Sequence, residues 1–258
     1  YNPDAPIWLT ETAESACGGN PWASTYLDSF RYVEQLGRLA RKNVQVVMHN
    51  TLAASDYALI DQDTLNPRPN YWAAVLWKRT MGTTVLASPR SPSPALRIYA
   101  HCLPQKNGGV GLVALNTGEA PQRLKLGSKA LAWNMTGQPI DTRTVRINGV
   151  EPGLAANGQL TGLNGLPVGN WLAIPGHAIA FAAVPGANTV SQCPISTTGL
   201  PGADRSGSVK GTWKIFSRAI TGMYSSRTCT TRPLPPMVLM VLSVTWKLST
   251  TEIGRASC

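Results

Sequence analysis

The stretch Pro6-Ile7-Trp8-Leu9-Thr10-Glu11-Thr12 decides how the rest of the chain is read. It is short, apolar and punctuated, the pattern of a buried strand. It delivers a carboxylate, Glu11, at its C-terminal edge. A charge there is costly to desolvate, and packing gives no reason for it. Gly18 and Gly19 follow in the same loop, where backbone without a side chain lets a ligand approach closely. Strand, carboxylate and glycine loop together suit a glycosidase that presents a catalytic carboxylate. A strand-end carboxylate paired with an arginine is the plainer alternative.

Downstream, Tyr26, Phe30, Val33 and Gly37–Ala40 recur at helical spacing. Ser24 or Thr25 suits the N-cap, and Arg38, Arg41 and Lys42 suit the negative end of the helix dipole. Val44-Gln45-Val46-Val47-Met48 is β-branched and compact, a second strand that delivers His49 and Asn50. A polar loop of about twenty residues follows and carries Tyr57; loops of that length in a compact domain are usually functional. Asn70 is placed to cap a helix over Tyr71–Met81, with Gly82 as its stop. Trp72 and Trp77 fall at helical spacing and read as core. The order strand, helix, strand, helix predicts two parallel βα units with polar residues gathered at the strand C-termini.

The texture changes near Val85. Alternating runs at 96–102, 110–116, 122–126, 144–150 and 178–184 are separated by Gly, Pro and Asn, as in an all-β sandwich. Residues 197–258 follow neither pattern. They read as a disordered or non-native tail, and their apolar patch 237–242 is too short to span a bilayer.

The 258 residues carry a formal charge of +10. The excess is uneven: residues 1–196 hold 15 Lys and Arg against 11 Asp and Glu, while 197–258 hold 8 against 2. No basic run interleaves with aromatics, so nucleic acid is not an expected partner. Five cysteines without Cys-x-x-Cys spacing and three scattered histidines give no expected metal site. No cofactor and no transmembrane segment are expected. The first residues lack the form of a signal peptide. Asn134-Met135-Thr136 fits a glycosylation acceptor.

Trp8-Leu9-Thr10-Glu11-Thr12 with Gly18-Gly19, then Asp56–Asp61, Pro69-Asn70-Tyr71-Trp72 and Leu96–Cys102, resemble the heparanase-like proteins of glycoside hydrolase family 79. The resemblance runs collinearly through residues 5–195. It implies the last two βα units of a (β/α)8 TIM barrel over 1–83 and a β-sandwich domain over 84–196, with 197–258 outside the family pattern. It implies retaining hydrolysis of a β-glucuronidic bond in a glycosaminoglycan or glucuronide. Glu11 would be the nucleophile. Gly18, Gly19 and Tyr57 would hold the sugar carboxylate, with His49 and Asn50 in the substrate site. Cys102 and Cys193 would form a disulfide, in keeping with a secreted, extracellular or lysosomal/vacuolar setting, membrane association included.

The chain departs from that pattern at His49-Asn50, where Arg-Gln is expected, and at Cys17, near an expected tyrosine. The family's acid/base lies in an Asn-Glu-Pro segment, and no Asn-Glu pair occurs here. The expectation is therefore an inactive fragment whose partner is the N-terminal part of its own barrel. The alternative is a non-catalytic carbohydrate-binding or interaction module built on the sandwich.

Overall fold

A computed structural model describes residues 5–15, 19–104, 108–187 and 193, together with the backbone of 243–245. Cys17, Gly18 and nearly all of 197–258 lie outside the described residues.

The first part alternates strand and helix: β1 (Ile7–Thr12), α1 (Tyr26–Arg41), β2 (Val44–His49) and α2 (Pro69–Thr80). Strands β1 and β2 run parallel, with Thr12 opposite His49, so both deliver their C-terminal residues to the same edge. Thr25 caps α1, its hydroxyl accepting from the Asp28 N–H. The helix buries Tyr26, Phe30, Val33, Leu36 and Gly37, one face at helical spacing.

Helix α2 starts two residues earlier than the capping pattern suggests. Pro69 takes the first turn, where its missing N–H is not needed. Asn70 is therefore not a cap but a fully buried helix residue. Gly82 does more than stop the helix: a Cβ there would lie 2.4 Å from the Cys102 carbonyl oxygen, so only glycine admits that strand.

The second part is all strand. It opens with β3 (Val85–Leu86), β4 (Leu96–Cys102), β5 (Val110–Asn116), β6 (Gln122–Lys125) and β7 (Ala130–Thr136). It continues with β8 (Arg146–Ile147), β9 (Gly153–Leu154), β10 (Leu160–Thr161), β11 (Leu166–Val168), β12 (Trp171–Ile174) and β13 (Ala178–Val184). Seven strands form one sheet in the order β11-β7-β13-β5-β4-β3, with β8 beside β7. Strands β6 and β12 pair separately. The expected run at 144–150 shrinks to β8, because Asn148 and Gly149 take positive φ and turn the chain back.

Alternation divides the core. Tyr99, Val113, Leu115, Ile179 and Phe181 face the helices, while Ile98, Ala114, Ala180 and Ala182 face β6–β12. The central strands are thus covered on both sides, which explains their nearly unbroken apolar sequences. Trp72 and Trp77 are core residues, as their spacing suggests. The helices are also keyed into the sheet. The Tyr26 hydroxyl lies 2.7 Å from the Met135 carbonyl and 2.8 Å from that of His177, and its burial pushes the phenol pKa up. A Cβ on Gly37 would meet the Tyr99 ring at 2.4 Å. A disulfide joins Cys102 to Cys193 across 91 residues of sequence.

One expectation fails. Strand β1 is not buried: Ile7 is 57% and Trp8 43% exposed. Among the described residues only β2 pairs with it, so its other edge and much of its surface stay open. β14 (Ser243–Thr245) pairs antiparallel with the far edge of β2, where an uncovered strand offers unpaired N–H and C=O groups. No helix among the described residues is long and apolar enough to cross a membrane.

Candidate active site

The parallel pair fixes the site. Glu11 and Asn50 emerge from the matching ends of β1 and β2, and the Asn50 side-chain amide donates to Glu11 Oε1 at 2.7 Å. The Asn50 backbone N–H also donates to the Thr12 carbonyl at 2.8 Å. The carboxylate is exposed. One oxygen is held by a neutral donor, so the group is oriented without a neighbouring cation to neutralise it. No ion pair to Glu11 forms among the described residues.

Next to Glu11, the Thr12 hydroxyl accepts from Gln35 at 2.9 Å. The Gln35 carbonyl accepts from Arg31 Nη1 at 3.0 Å. Arg31 Nε donates to Asp28 at 2.5 Å. Asp28 is 3% exposed, and a lone carboxylate so placed would be very costly. It is satisfied on its other oxygen by the Ser24 N–H at 3.0 Å and the Asn70 amide at 2.6 Å. The Ser29 hydroxyl donates to the Asn70 carbonyl oxygen at 2.8 Å. A continuous polar relay thus runs from the strand beside Glu11 through α1 to α2.

The loop over 50–68 forms the other wall. His49 Nε2–H donates to the Tyr57 carbonyl at 2.9 Å, and its ring meets Tyr32 edge-on at 5.3 Å. Burial lowers the His49 pKa, with the Tyr57 hydrogen bond opposing. His49 was expected in the substrate site. Its Nε2 holds the Tyr57 backbone carbonyl, so the imidazole joins the end of β2 to the tyrosine loop. Arg68, 6% exposed, bridges the Ser55 and Asp56 carbonyls and pairs with Asp61 at 2.9 Å. That pairing, with Thr64 donating as well, lowers the Asp61 pKa. Gly19 has φ +78°, and a Cβ on it would lie 2.8 Å from Asp56 Cβ and 3.5 Å from the Tyr57 ring. The glycine turn therefore lies directly against the tyrosine loop.

The structure joins the expected residues in two contact groups. Glu11 holds to Asn50, and Gly19 packs on Tyr57 with His49 beneath it; the neighbours His49 and Asn50 connect the two. Gly18 lies outside the described residues. Asn134 stands apart in β7, its amide donating to the Ala173 carbonyl at 3.1 Å. Sequence reasoning missed Arg68, Gln35 and the Asp28–Arg31 pair. The spacing of Asp28, Arg31 and Gln35 along one helix face was the available signal.

A carboxylate presented at the C-terminal edge of parallel βα strands is how sugar-cleaving barrels arrange their chemistry. Comparison with known proteins narrows the class. No family model matches the chain. It is similar to Heparanase-like protein 1 of Arabidopsis thaliana, 39% identical over 45% of this chain and 21% of that protein. It is similar to Baicalin-beta-D-glucuronidase of Scutellaria baicalensis, 29% identical over 73% of this chain and 38% of that protein. It is also similar to Inactive heparanase-2 of Homo sapiens, 28% identical over 74% of this chain and 37% of that protein. These matches bear out the resemblance to the heparanase-like family. The chain spans well under half the length of these relatives. The solved xylanase Xyn30A of Clostridium acetobutylicum is 13% identical, with a TM-score of 0.47 over 70% of this chain and 43% of that one; so slight a likeness carries no argument.

Proposed function

We propose that this chain is the C-terminal portion of a retaining, heparanase-type β-glucuronidase, with residues 1–83 as the last two βα units of its barrel and 84–196 as its β-sandwich. The observation that carries this is Glu11, set at the shared edge of β1 and β2 and oriented by Asn50 at 2.7 Å. In that reaction the Glu11 carboxylate attacks the anomeric carbon, forming a glycosyl-enzyme as the leaving oxygen takes a proton from a second carboxyl group. The second group then takes a proton from a water molecule whose oxygen attacks the anomeric carbon, breaking that carbon's bond to Glu11. Retention places the two groups about 5–5.5 Å apart. The second belongs to an earlier strand of the same barrel, outside this chain.

Several features support the reading. The exposed Ile7 and Trp8 offer apolar surface that further barrel strands would cover. Gly19 and Tyr57 lie against each other and form a wall that would receive the sugar carboxylate. The disulfide suits a secreted or lysosomal/vacuolar enzyme. The substrate is a glucuronic-acid-containing saccharide or glucuronide.

The test is hydrolysis of a chromogenic β-glucuronide. A protein that also contains the earlier strands should cleave it and lose activity on Glu11→Gln, while the 258-residue chain alone should not. Cleavage by the chain alone would refute the division of the site. A second reading, a non-catalytic saccharide-binding module, is favoured by the likeness to a relative named as inactive. It predicts binding without turnover in every form.

A further inference from the structure

We propose that the outer face of the β6–β12 pair is a second saccharide site, separate from the Glu11 cleft, that takes an acidic polysaccharide chain. Its inner face carries Leu124, Leu172 and Ile174 into the core opposite the helices. Its outer face carries Arg123, Lys125, Trp171 and Ala173, all exposed. Because α1 and α2 cover the other side of the main sheet, this face is separated from them by the body of the sandwich.

Three observations choose the occupant. First, Trp171 is 47% exposed. An indole left in solvent on a rigid sheet is a natural platform for the C–H face of a pyranose, and Ala173 beside it raises no obstacle. Second, the Arg123 guanidinium stands 4.9 Å over the indole, and Lys125 is the direct cross-strand neighbour of Trp171. A guanidinium beside the indole offers a fork of donors suited to bidentate contact with a carboxylate or sulfate. Third, neither cation has an ion-pair partner among the described residues, and neither strand contains an acidic residue. Cations without partners beside an exposed aromatic complement an anionic, ring-bearing ligand. The choice of a saccharide over another anionic polymer rests on the glucuronidase-type reading above; the platform itself does not.

The experiment is titration of the 258-residue chain with a hyaluronan hexasaccharide, followed by calorimetry and tryptophan fluorescence. Trp171→Ala leaves net charge unchanged, so it separates the platform from diffuse attraction to the basic tail. The expected result is a loss of affinity of at least about tenfold, as for a buried aromatic anchor. Arg123→Ala with Lys125→Ala should show a similar loss and a shallower salt dependence. Trp171→Phe should restore part of the binding, and circular dichroism should show the fold intact in each case. Unchanged binding by Trp171→Ala would overturn the proposal. So would equal affinity for a neutral cello-oligosaccharide, or equal Trp171-dependent affinity for polyglutamate. Binding abolished by Glu11→Gln but untouched by Trp171→Ala would place the saccharide in the cleft and also overturn it. Absence of hydrolysis in the glucuronidase assay leaves all these outcomes readable, so the two readings fail separately.

Discussion

Strands β13 and β1 are both short and apolar in sequence, and they end in opposite situations. Ala178–Val184 is buried along nearly its whole length, between β5 and β7 and between two core layers. Ile7–Thr12 has one partner among the described strands and exposes Ile7 and Trp8. The central strands of the second part are covered by β6–β12 on one face and by α1 and α2 on the other, whereas β1 leaves one side of the βα part open. Apolar sequence therefore states a demand for burial, and the rest of the fold decides whether that demand is met inside this chain.

Mutation should expose the contrast most strongly at Phe181 and Ile7. Phe181→Ala removes a fully buried ring and should cost about 3–5 kcal/mol, read as a lower midpoint in urea denaturation. Ile7→Ala should cost no more than about 0.5 kcal/mol in this chain. Comparable losses at the two positions would break the comparison.

The βα part still has one tightly closed feature, the Asp28 relay. Asp28→Ala should destabilise by about 3–5 kcal/mol, because Arg31, Asn70 and the Ser24 N–H lose a shared buried acceptor. A loss below about 1 kcal/mol would mean that water replaces the carboxylate.

Acid should act from the seam between the two parts. His101 is fully buried, donates from Nδ1 to the Gly82 carbonyl at 2.7 Å and meets Trp77 edge-on at 5.4 Å. Burial lowers its pKa to about 4. Between pH 6.5 and 4 the unfolded chain binds a proton that the folded chain does not, so stability falls as pH falls through that window. The loss reaches roughly 3 kcal/mol. The check is the denaturation midpoint against pH for wild type and His101→Gln, the variant showing the flatter profile.

The smallest effect on stability belongs to the site. Asn50→Ala removes one exposed hydrogen bond to Glu11 and should cost about 1 kcal/mol or less. In the longer β-glucuronidase proposed above, the same change should lower kcat far more than it raises KM, because it releases the carboxylate rather than a substrate contact.

How much of this was legible in the sequence differs between fold and site. Strands β4, β5 and β13 read clearly because alternating large and small apolar residues serve two core faces. Strand β7 has the same alternation in Ala130-Leu131-Ala132-Trp133, but its alanines carry little hydrophobic signal. Strands β11 and β12 are too short, and Pro167 and Asn170 mask them as turn. In the site, Glu11, Gly19, Tyr57 and Asn50 were legible as strand-end or loop residues with no packing role. Asn70 read as a cap, since local pattern cannot show that Asp28 waits on another helix. Arg68, Gln35 and Arg31 were passed over, since their partners come together only through tertiary packing.

The most direct measurement is covalent labelling with a mechanism-based 2-fluoroglucuronide inactivator, mapped by peptide mass spectrometry. It should be applied to this chain and to a protein that adds the earlier barrel strands. A glycosyl adduct is expected on Glu11 in the longer protein, absent after Glu11→Gln, with no adduct in the 258-residue chain. An adduct on any other carboxylate, or none in a longer protein that hydrolyses glucuronides, would contradict the assignment of Glu11 as the nucleophile.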